Sequence, residues 1–106
     1  MVMYEKIRTT RMRAGLSQAE LATKAGMDVG TVRSIEEGFV EPGIEQQIRL
    51  SDILHVSIYF LRHEESQDPQ QLVGIQEAMI ELYRRFGKDA FLQFEEKVMK
   101  ELGDIP

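Results

Sequence analysis

The sequence predicts an all-α protein, in which five short helices are followed by two further helices at the C-terminal end. Apolar residues recur at spacings of three and four along most of the chain, which is the period of an α-helix and not that of a strand. Residues that favour helix ends, chiefly Ser, Asp and Gly, separate these periodic stretches. The stretches between helices are short, as they are in compact helical domains.

The capping residues define the expected helix bounds. Ser17 and Glu20 form an S-x-x-E pattern, in which each side chain accepts a hydrogen bond from the backbone of the other residue. Asp68-Pro69 indicates the start of the sixth helix, because proline is favoured at the first helical position. The predicted helices cover 3–14, 18–25, 29–37, 44–55, 58–62, 69–86 and 89–102.

Composition and charge restrict the class of protein. The chain has 106 residues and no cysteine, so disulfides and thiolate metal sites are excluded. Its first residues contain no long apolar run, so we expect no membrane segment or secretory signal and a cytoplasmic protein. The net charge of −5 lies entirely in residues 64–106, whereas residues 1–63 are neutral. The N-terminal half can therefore present a locally positive face despite the acidic total.

The stretch 18–38, QAELATKAGMDVGTVRSIEEG, contains the most informative motif. Leu21 and Ala22 form an apolar pair on its first helix, and Gly26 follows at the point where the backbone must reverse. Val32 and Ile35 lie three residues apart on the second helix. Two short helices with inward apolar residues, joined by a tight turn at glycine, are typical of a helix-turn-helix.

The last two predicted helices carry wide apolar stripes. Such stripes either fold back on their own chain or pack against a second copy, and both arrangements are compatible with the pattern. We predict that they form a helical hairpin that serves as a homodimerisation element. The residues assigned to that interface are Leu72, Ile75, Met79, Leu82, Phe86, Phe91, Phe94, Val98 and Leu102.

Several spaced motifs together give a resemblance to a known family. These motifs are GLSQAELA at 15–22, Gly26, IEEG at 35–38, Pro42 and HVSIYFL at 55–61. Residues 7–61 thereby resemble the lambda-repressor/Cro-like helix-turn-helix domain, also called the XRE family. The resemblance implies a five-helix lambda-repressor-like DNA-binding domain at 1–63, a connector at 64–69 and the C-terminal hairpin at 70–106.

The resemblance also implies roles for particular residues. In the family the third helix enters the major groove, while the N-terminus of the second helix lies against the phosphate backbone. Carried over to this sequence, Ser17 and Gln18 would hold a phosphate, and Gln18 would also reach a base. Arg11 and Glu36 match a structural ion pair that orients the third helix. The positions that contact bases or backbone correspond to Val29, Gly30, Thr31, Arg33 and Ser34.

The residues expected to contact bases differ from the family pattern at two positions. Relatives commonly carry polar side chains where this chain has Val29 and Gly30. Valine can contact a thymine methyl group but makes no hydrogen bond, and Gly30 would permit a close approach of the backbone. Glu37 would repel a phosphate, so we expect weak binding by one protomer and a strong dependence on dimerisation.

The resulting functional hypothesis is a sequence-specific transcriptional regulator, a repressor that binds double-stranded DNA as a dimer. The alternative is a protein-interaction module on a degenerate helix-turn-helix scaffold, which would act as an antagonist or adaptor of another regulator. The acidic residues Glu37 and Glu41 favour this alternative, because they would repel a DNA backbone. An enzyme has no support, because no nucleophile or cofactor motif is present. His55 and His63 are isolated, so neither a metal site nor a cofactor is expected.

Overall fold

The computed structural model describes residues 1–103 and is all-helical over that range. One turn of 3₁₀-helix, Val73–Ile75, precedes the sixth α-helix. The α-helices are α1 Met3–Arg13, α2 Gln18–Ala25, α3 Val29–Glu36, α4 Ile44–Leu54, α5 Ile58–Arg62, α6 Gln76–Phe86 and α7 Lys88–Gly103. The predicted fold class is confirmed. None of the described helices is both long and apolar enough to cross a membrane.

Local hydrogen bonds fix the ends of the N-terminal helices. At α2 the Ser17 backbone N–H donates to Oε1 of Glu20 at 3.0 Å, and the Glu20 backbone N–H donates to Oγ of Ser17 at 3.0 Å. The hydrogen bonds that the Glu20 carboxyl accepts from Ser17, first from its backbone N–H and then from its side chain, hold the pKa of that carboxyl below its usual value. Gly26 ends α2 with φ of 66°, a left-handed conformation that glycine adopts without strain. The capping box predicted from the sequence is therefore present.

The chain divides into two compact units, Met1–Val73 and a second one from Gly74 onward. The first unit contains α1 to α5 around one apolar core, to which every one of these helices contributes. Because all five helices share that core, none can shift without disturbing the packing of the others. The core residues are Ile7, Leu21, Ala22, Ala25, Val32, Ile35, Leu50, Leu54, Val56, Phe60 and Leu61.

The second unit is a hairpin of α6 and α7, which pack together along their length. Met79 and Phe91 are buried, and the ring of Phe91 meets that of Tyr83 edge-on with 6.4 Å between centroids. Edge-on contact is a favourable geometry for two aromatic rings. The last residues of the predicted dimerisation element, 104–106, lie outside the described range.

The predicted start of the sixth helix at Pro69 is wrong, since α6 begins at Gln76. The carbonyl of Pro69 accepts a hydrogen bond of 2.7 Å from the backbone N–H of Ser57, so a long-range contact occupies it. Asp68 then forms a turn in which its Oδ1 accepts from the Gln70 N–H at 2.9 Å. Leu72 adopts a positive φ of 58°, which interrupts any helix through this stretch.

Lys6 is a buried cation that ties α1 to the end of α5. Its Nζ donates hydrogen bonds to the carbonyl oxygens of Phe60 at 2.7 Å, His63 at 2.7 Å and Ser66 at 2.8 Å. The same Nζ lies 4.3 Å from the centroid of the Phe60 ring. Burial lowers the pKa of Lys6, and this effect is opposed by the negative charges of Glu65 and Glu64.

We expect Lys6→Met to lower the free energy of unfolding by about 3 kcal/mol, because it leaves three buried carbonyls without a charged donor. Methionine keeps the length of the side chain, so the change isolates the ammonium group. Urea unfolding followed by circular dichroism measures the effect. The matched control is Lys24→Met at an exposed position of α2, which should change stability by less than about 0.5 kcal/mol. A Lys6→Met protein as stable as the control would contradict this account.

Candidate nucleic-acid interface

The α2–α3 unit presents one face of α3 outward. The inner face is fixed by Val32 and Ile35, each 1% exposed, which pack into the same core as Leu21 of α2. The turn between the helices is closed by a hydrogen bond of 2.9 Å from the Met27 N–H to the Ala22 carbonyl. The core and the closed turn hold α3 rigidly against α2, while its opposite face remains open to solvent.

The structure brings the predicted base-reading residues together on that open face. Val29 is 40% exposed, and Gly30 and Arg33 are exposed as well. Thr31 and Ser34 are half-buried at its edges. Of these side chains, Arg33 is the charged one and offers several donors for a base edge or a phosphate.

Ser17 and Gln18 lie where α2 begins, but both already make hydrogen bonds within the chain. The capping box uses the Ser17 backbone N–H and the Ser17 hydroxyl, whose oxygen accepts from the Glu20 N–H and which also hydrogen-bonds to the Glu20 carboxylate. The hydroxyl would have to leave that carboxylate in order to donate to an external group. The Gln18 amide Nε2 donates to Oε1 of Glu36 at 3.2 Å. Because an amide nitrogen carries two hydrogens, Gln18 keeps one donor and its carbonyl oxygen for an external partner.

Arg11 and Glu36 form a two-pronged ion pair between α1 and α3. Nε of Arg11 lies 2.6 Å from Oε2 of Glu36, and Nη2 lies 2.9 Å from Oε1. The side chains are 12% and 2% exposed, and Arg11 also donates from Nη1 to the carbonyl of Leu16 at 2.8 Å. The hydrogen bond to Glu36 raises the pKa of Arg11. Glu36 is thus the point where α1, α2 and α3 are joined.

A hollow of about 400 Å³ lies beside α3, and one of its lining residues, Arg8, was not assigned to the site from the sequence. Arg8 is exposed at its rim, one turn before Arg11 on α1. The i, i+3 spacing of the two arginines was the available signal, because such residues share a helix face. The lining residues are Arg8, Arg11, Met12, Gln18, Glu36 and Glu37.

Acidic and apolar residues flank the open face. Asp28 precedes α3 and is exposed, and its side chain makes no capping hydrogen bond. Glu37 follows the helix and is exposed too. Phe39 is 79% exposed, although its backbone N–H is fixed by a 3.0 Å hydrogen bond to the Ser34 carbonyl. Arg33 on this face is outnumbered by the carboxylates of Asp28 and Glu37, so these groups give the face no net positive charge. Among the described residues no cluster of three or more potential metal ligands occurs.

A helix-turn-helix family model matches residues 7–61, just over half of the chain. The chain belongs to the lambda-repressor/Cro-like (XRE) helix-turn-helix family. It is accordingly a DNA-binding transcriptional regulator. No curated protein matches the chain.

Solved structures of similar fold include the P22 c2 repressor in complex with a synthetic operator. That protein is 28% identical, with a TM-score of 0.59, and the match covers 61% of this chain and 98% of the repressor. Two structures match nearly the whole chain and show its fold. The SinR/SinI protein complex gives 23% identity and a TM-score of 0.57, with 97% of this chain and 100% of that chain covered. A transcriptional regulator from Listeria innocua gives 21% identity and a TM-score of 0.55, with 98% and 95% covered.

We expect Glu36→Leu to lower the free energy of unfolding by about 3 kcal/mol, because the mostly buried Arg11 loses its counter-charge. Arg11→Leu combined with Glu36→Leu should recover some of that loss, since no unpaired charge then remains. Urea unfolding of the two single variants and the double variant gives the coupling energy.

The exposed pair of Arg85 and Glu81, 2.9 Å apart, provides the control for this cycle. Glu81→Leu should change stability by less than about 0.5 kcal/mol, because solvent screens that pair. A double variant of Arg11 and Glu36 that loses the full sum of the two single changes would contradict the role assigned to the buried pair.

Proposed function

We propose that this chain is a repressor that binds a DNA operator as a homodimer, with α3 of each protomer in the major groove. Residues 1–63 form the DNA-binding domain in this proposal, and 64–69 connect it to a dimerisation element at 70–106. Repression follows when the bound dimer occupies a promoter. The partners are double-stranded DNA and a second copy of the chain.

Support comes chiefly from the open face of α3, which is rigidly mounted and not used in packing. An α-helix such as α3, with its side chains, is about 10–12 Å across, which matches the major groove of B-DNA, about 12 Å wide. Arg33 lies on the outer side of this helix and is suited to the O6 and N7 acceptors of guanine. The inner side and Glu36 hold the helix in one orientation, which a specific base contact requires.

In this proposal, residues at the beginning of α2 and on α1 contact the phosphates of the DNA backbone. Arg8 and Gln18 both line the hollow next to α3, and Ser17 directly precedes Gln18 at the start of α2. Phosphate contacts position a protein on DNA and supply most of its salt-dependent affinity. The P22 c2 repressor, 28% identical, was determined in complex with an operator, and this likeness supports the same mode of binding here.

The lack of net positive charge at the open face of α3 is the reason that two copies are needed in this proposal. Asp28 and Glu37 both repel phosphates, so one protomer gains little electrostatic free energy on binding. Joining two protomers makes the second contact intramolecular and raises the overall affinity without a new contact. Half-sites about 34 Å apart would then be bound by one dimer.

The hairpin retains apolar surface for such an interface. Phe86 is 69% exposed and Met99 is 39% exposed, whereas Met79 and Phe91 are already buried. Of the nine residues predicted for the interface, Leu72 lies in the turn before α6 and not on a helix. The others that remain half-buried, and so can contribute further area, are Ile75, Leu82, Phe94, Val98 and Leu102.

Arg33→Ala should weaken operator binding by about tenfold to a hundredfold, the effect of losing one arginine–guanine contact. The operator is obtained by selecting bound duplexes from a random library, and the affinity is measured by fluorescence anisotropy. Lys24→Ala removes the same charge from the last turn of α2, far from Ser17, and should leave the affinity within about twofold.

The affinity of the parent protein for the operator should fall steeply as the salt concentration rises. Operator affinity that does not respond to salt, or equals that for random duplex, would refute DNA recognition.

Phe86→Glu should convert the dimer into a monomer and reduce operator affinity, because it places a charge in the apolar interface. Light scattering coupled to size-exclusion chromatography measures the molar mass at micromolar concentration. The control is Phe39→Glu, the same change at another exposed phenylalanine outside the hairpin, which should remain dimeric. A parent chain that is monomeric under these conditions would rule out the homodimer.

A second candidate function is a protein-interaction module, and the α3–α4 loop favours it. Phe39 and Val40 are 79% and 50% exposed, and acidic Glu37 and Glu41 flank them. An exposed apolar pair with acidic neighbours suits a protein antagonist better than it suits a phosphate backbone. Retention of a protein partner, with no duplex bound even at low salt, would favour this function over operator binding.

A further inference from the structure

Gly30 is a glycine that the fold itself does not require. Gly15, Gly26 and Gly38 have positive φ and end helices, whereas Gly30 has an ordinary helical backbone as the second residue of α3. A Cβ built on Gly30 meets no atom within 4 Å, so no packing contact excludes a side chain. Glycine is among the least favourable residues within a helix. Neither turn geometry nor packing explains its presence there.

The neighbours of Gly30 show what the bare backbone faces. Val29 precedes it and is 40% exposed, so an apolar side chain lies next to the space that a side chain at Gly30 would fill. Arg33 and Ser34 lie three and four residues on and therefore share its side of the helix. The open face of α3 thus has an apolar region at Val29 and Gly30, and a hydrogen-bonding region follows at the next helical turn.

We propose that Val29 and the bare Cα of Gly30 receive the 5-methyl group of a thymine in the operator half-site, while Arg33 contacts a guanine. This inference rests on the proposed function and specifies the sequence that α3 reads. The thymine methyl is the apolar group that base pairs present in the major groove. The absent side chain lets that methyl approach the helix backbone and contact Val29 at the same time.

The distance along the helix sets the spacing of the two bases. Four residues rise about 6 Å, and successive base pairs are about 3.4 Å apart. Thymine and guanine therefore lie within about two base pairs of one another in the half-site.

Other groups of the duplex fit this region of the face less well. A phosphate beside Gly30 would meet the exposed carboxylate of Asp28, two residues earlier, and would be repelled. Adenine is usually recognised by the amide of Asn or Gln, and neither residue type occurs on α3. Gln18 could still contact an adenine, but it belongs to the start of α2 and not to this part of α3.

Gly30→Ala gives a test in which stability and affinity change in opposite directions. The urea midpoint should rise, because alanine favours the helix and its Cβ meets no atom. Affinity for the selected operator should fall at least tenfold, because the Cβ occupies the space of the methyl group. Gly74→Ala is the control, since that Cβ also meets no atom within 4 Å, and it should bind normally. Gly30→Ala protein that binds as tightly as the parent would overturn the proposal.

The DNA provides an independent test. Replacing each thymine of the selected duplex in turn by deoxyuridine removes one methyl group and no hydrogen-bonding group. One such position per half-site should weaken binding about fourfold, the effect of one buried methyl, and Gly30→Ala protein should not respond to that change. If no deoxyuridine position weakens binding, or if the selected half-site has no thymine within two base pairs of a guanine, methyl recognition at Gly30 is wrong.

The outcomes separate this inference from the proposed function. Loss of affinity in Arg33→Ala together with indifference to deoxyuridine refutes methyl recognition and leaves operator binding in place. The absence of any preferred duplex refutes operator binding itself, and the inference falls with it. Joint sensitivity to Gly30→Ala and to one deoxyuridine position supports the assignment.

Discussion

The carboxylate of Glu36 is the interaction on which the geometry of the candidate interface depends. Its two oxygens accept three hydrogen bonds, two from Arg11 of α1 and one from Gln18 of α2. A buried carboxylate needs such donors, because burial without them costs several kcal/mol (about 3–5 when one partner is removed). The requirement works in both directions, since Arg11 is also mostly buried and needs this carboxylate as its counter-charge. α3 is thereby fixed relative to both preceding helices, and its outer face is presented in one orientation.

α1 has a central place in the first unit because it carries the buried Lys6 and the mostly buried Arg11. Arg11 joins it to α3, and Lys6 joins it to the carbonyl groups at the end of α5 and beyond, out to Ser66. Between them Ile7 enters the apolar core. The two side chains contact different parts of the unit, Lys6 the end of α5 and Arg11 α3, so they restrict α1 in addition to the core. This arrangement holds the unit in one geometry without requiring more apolar area than a small domain can provide.

The rigid attachment of α3 and the lack of positive charge on its open face are related features of this protein. A face that gains little from phosphate contacts must obtain its specificity from close fit at the bases, and close fit requires an immobile helix. In the proposed complex Gly30 and Val29 provide shape and apolar surface instead of hydrogen-bonding groups. Arg33 then remains the main hydrogen-bonding side chain on α3. In the proposed dimer the exposed Phe86 of the hairpin contributes to binding as well, because a second protomer would supply affinity that one face lacks.

The sequence by itself determined the features whose causes are local. Ser17, Gly26, Gly38 and Ser57 mark helix ends through hydrogen bonds and backbone conformations within a few residues, and the helix-turn-helix could be recognised from them. Pairing of Arg11 with Glu36 was expected through family resemblance, and the chain places the two side chains together. Tertiary structure alone decided the remainder. Pro69 fails to start a helix because Ser57, twelve residues earlier, takes its carbonyl, and Lys6 is buried because three carbonyls distant in sequence converge on it. Contacts of that kind depend on how helices pack, and the local pattern of residues does not specify them.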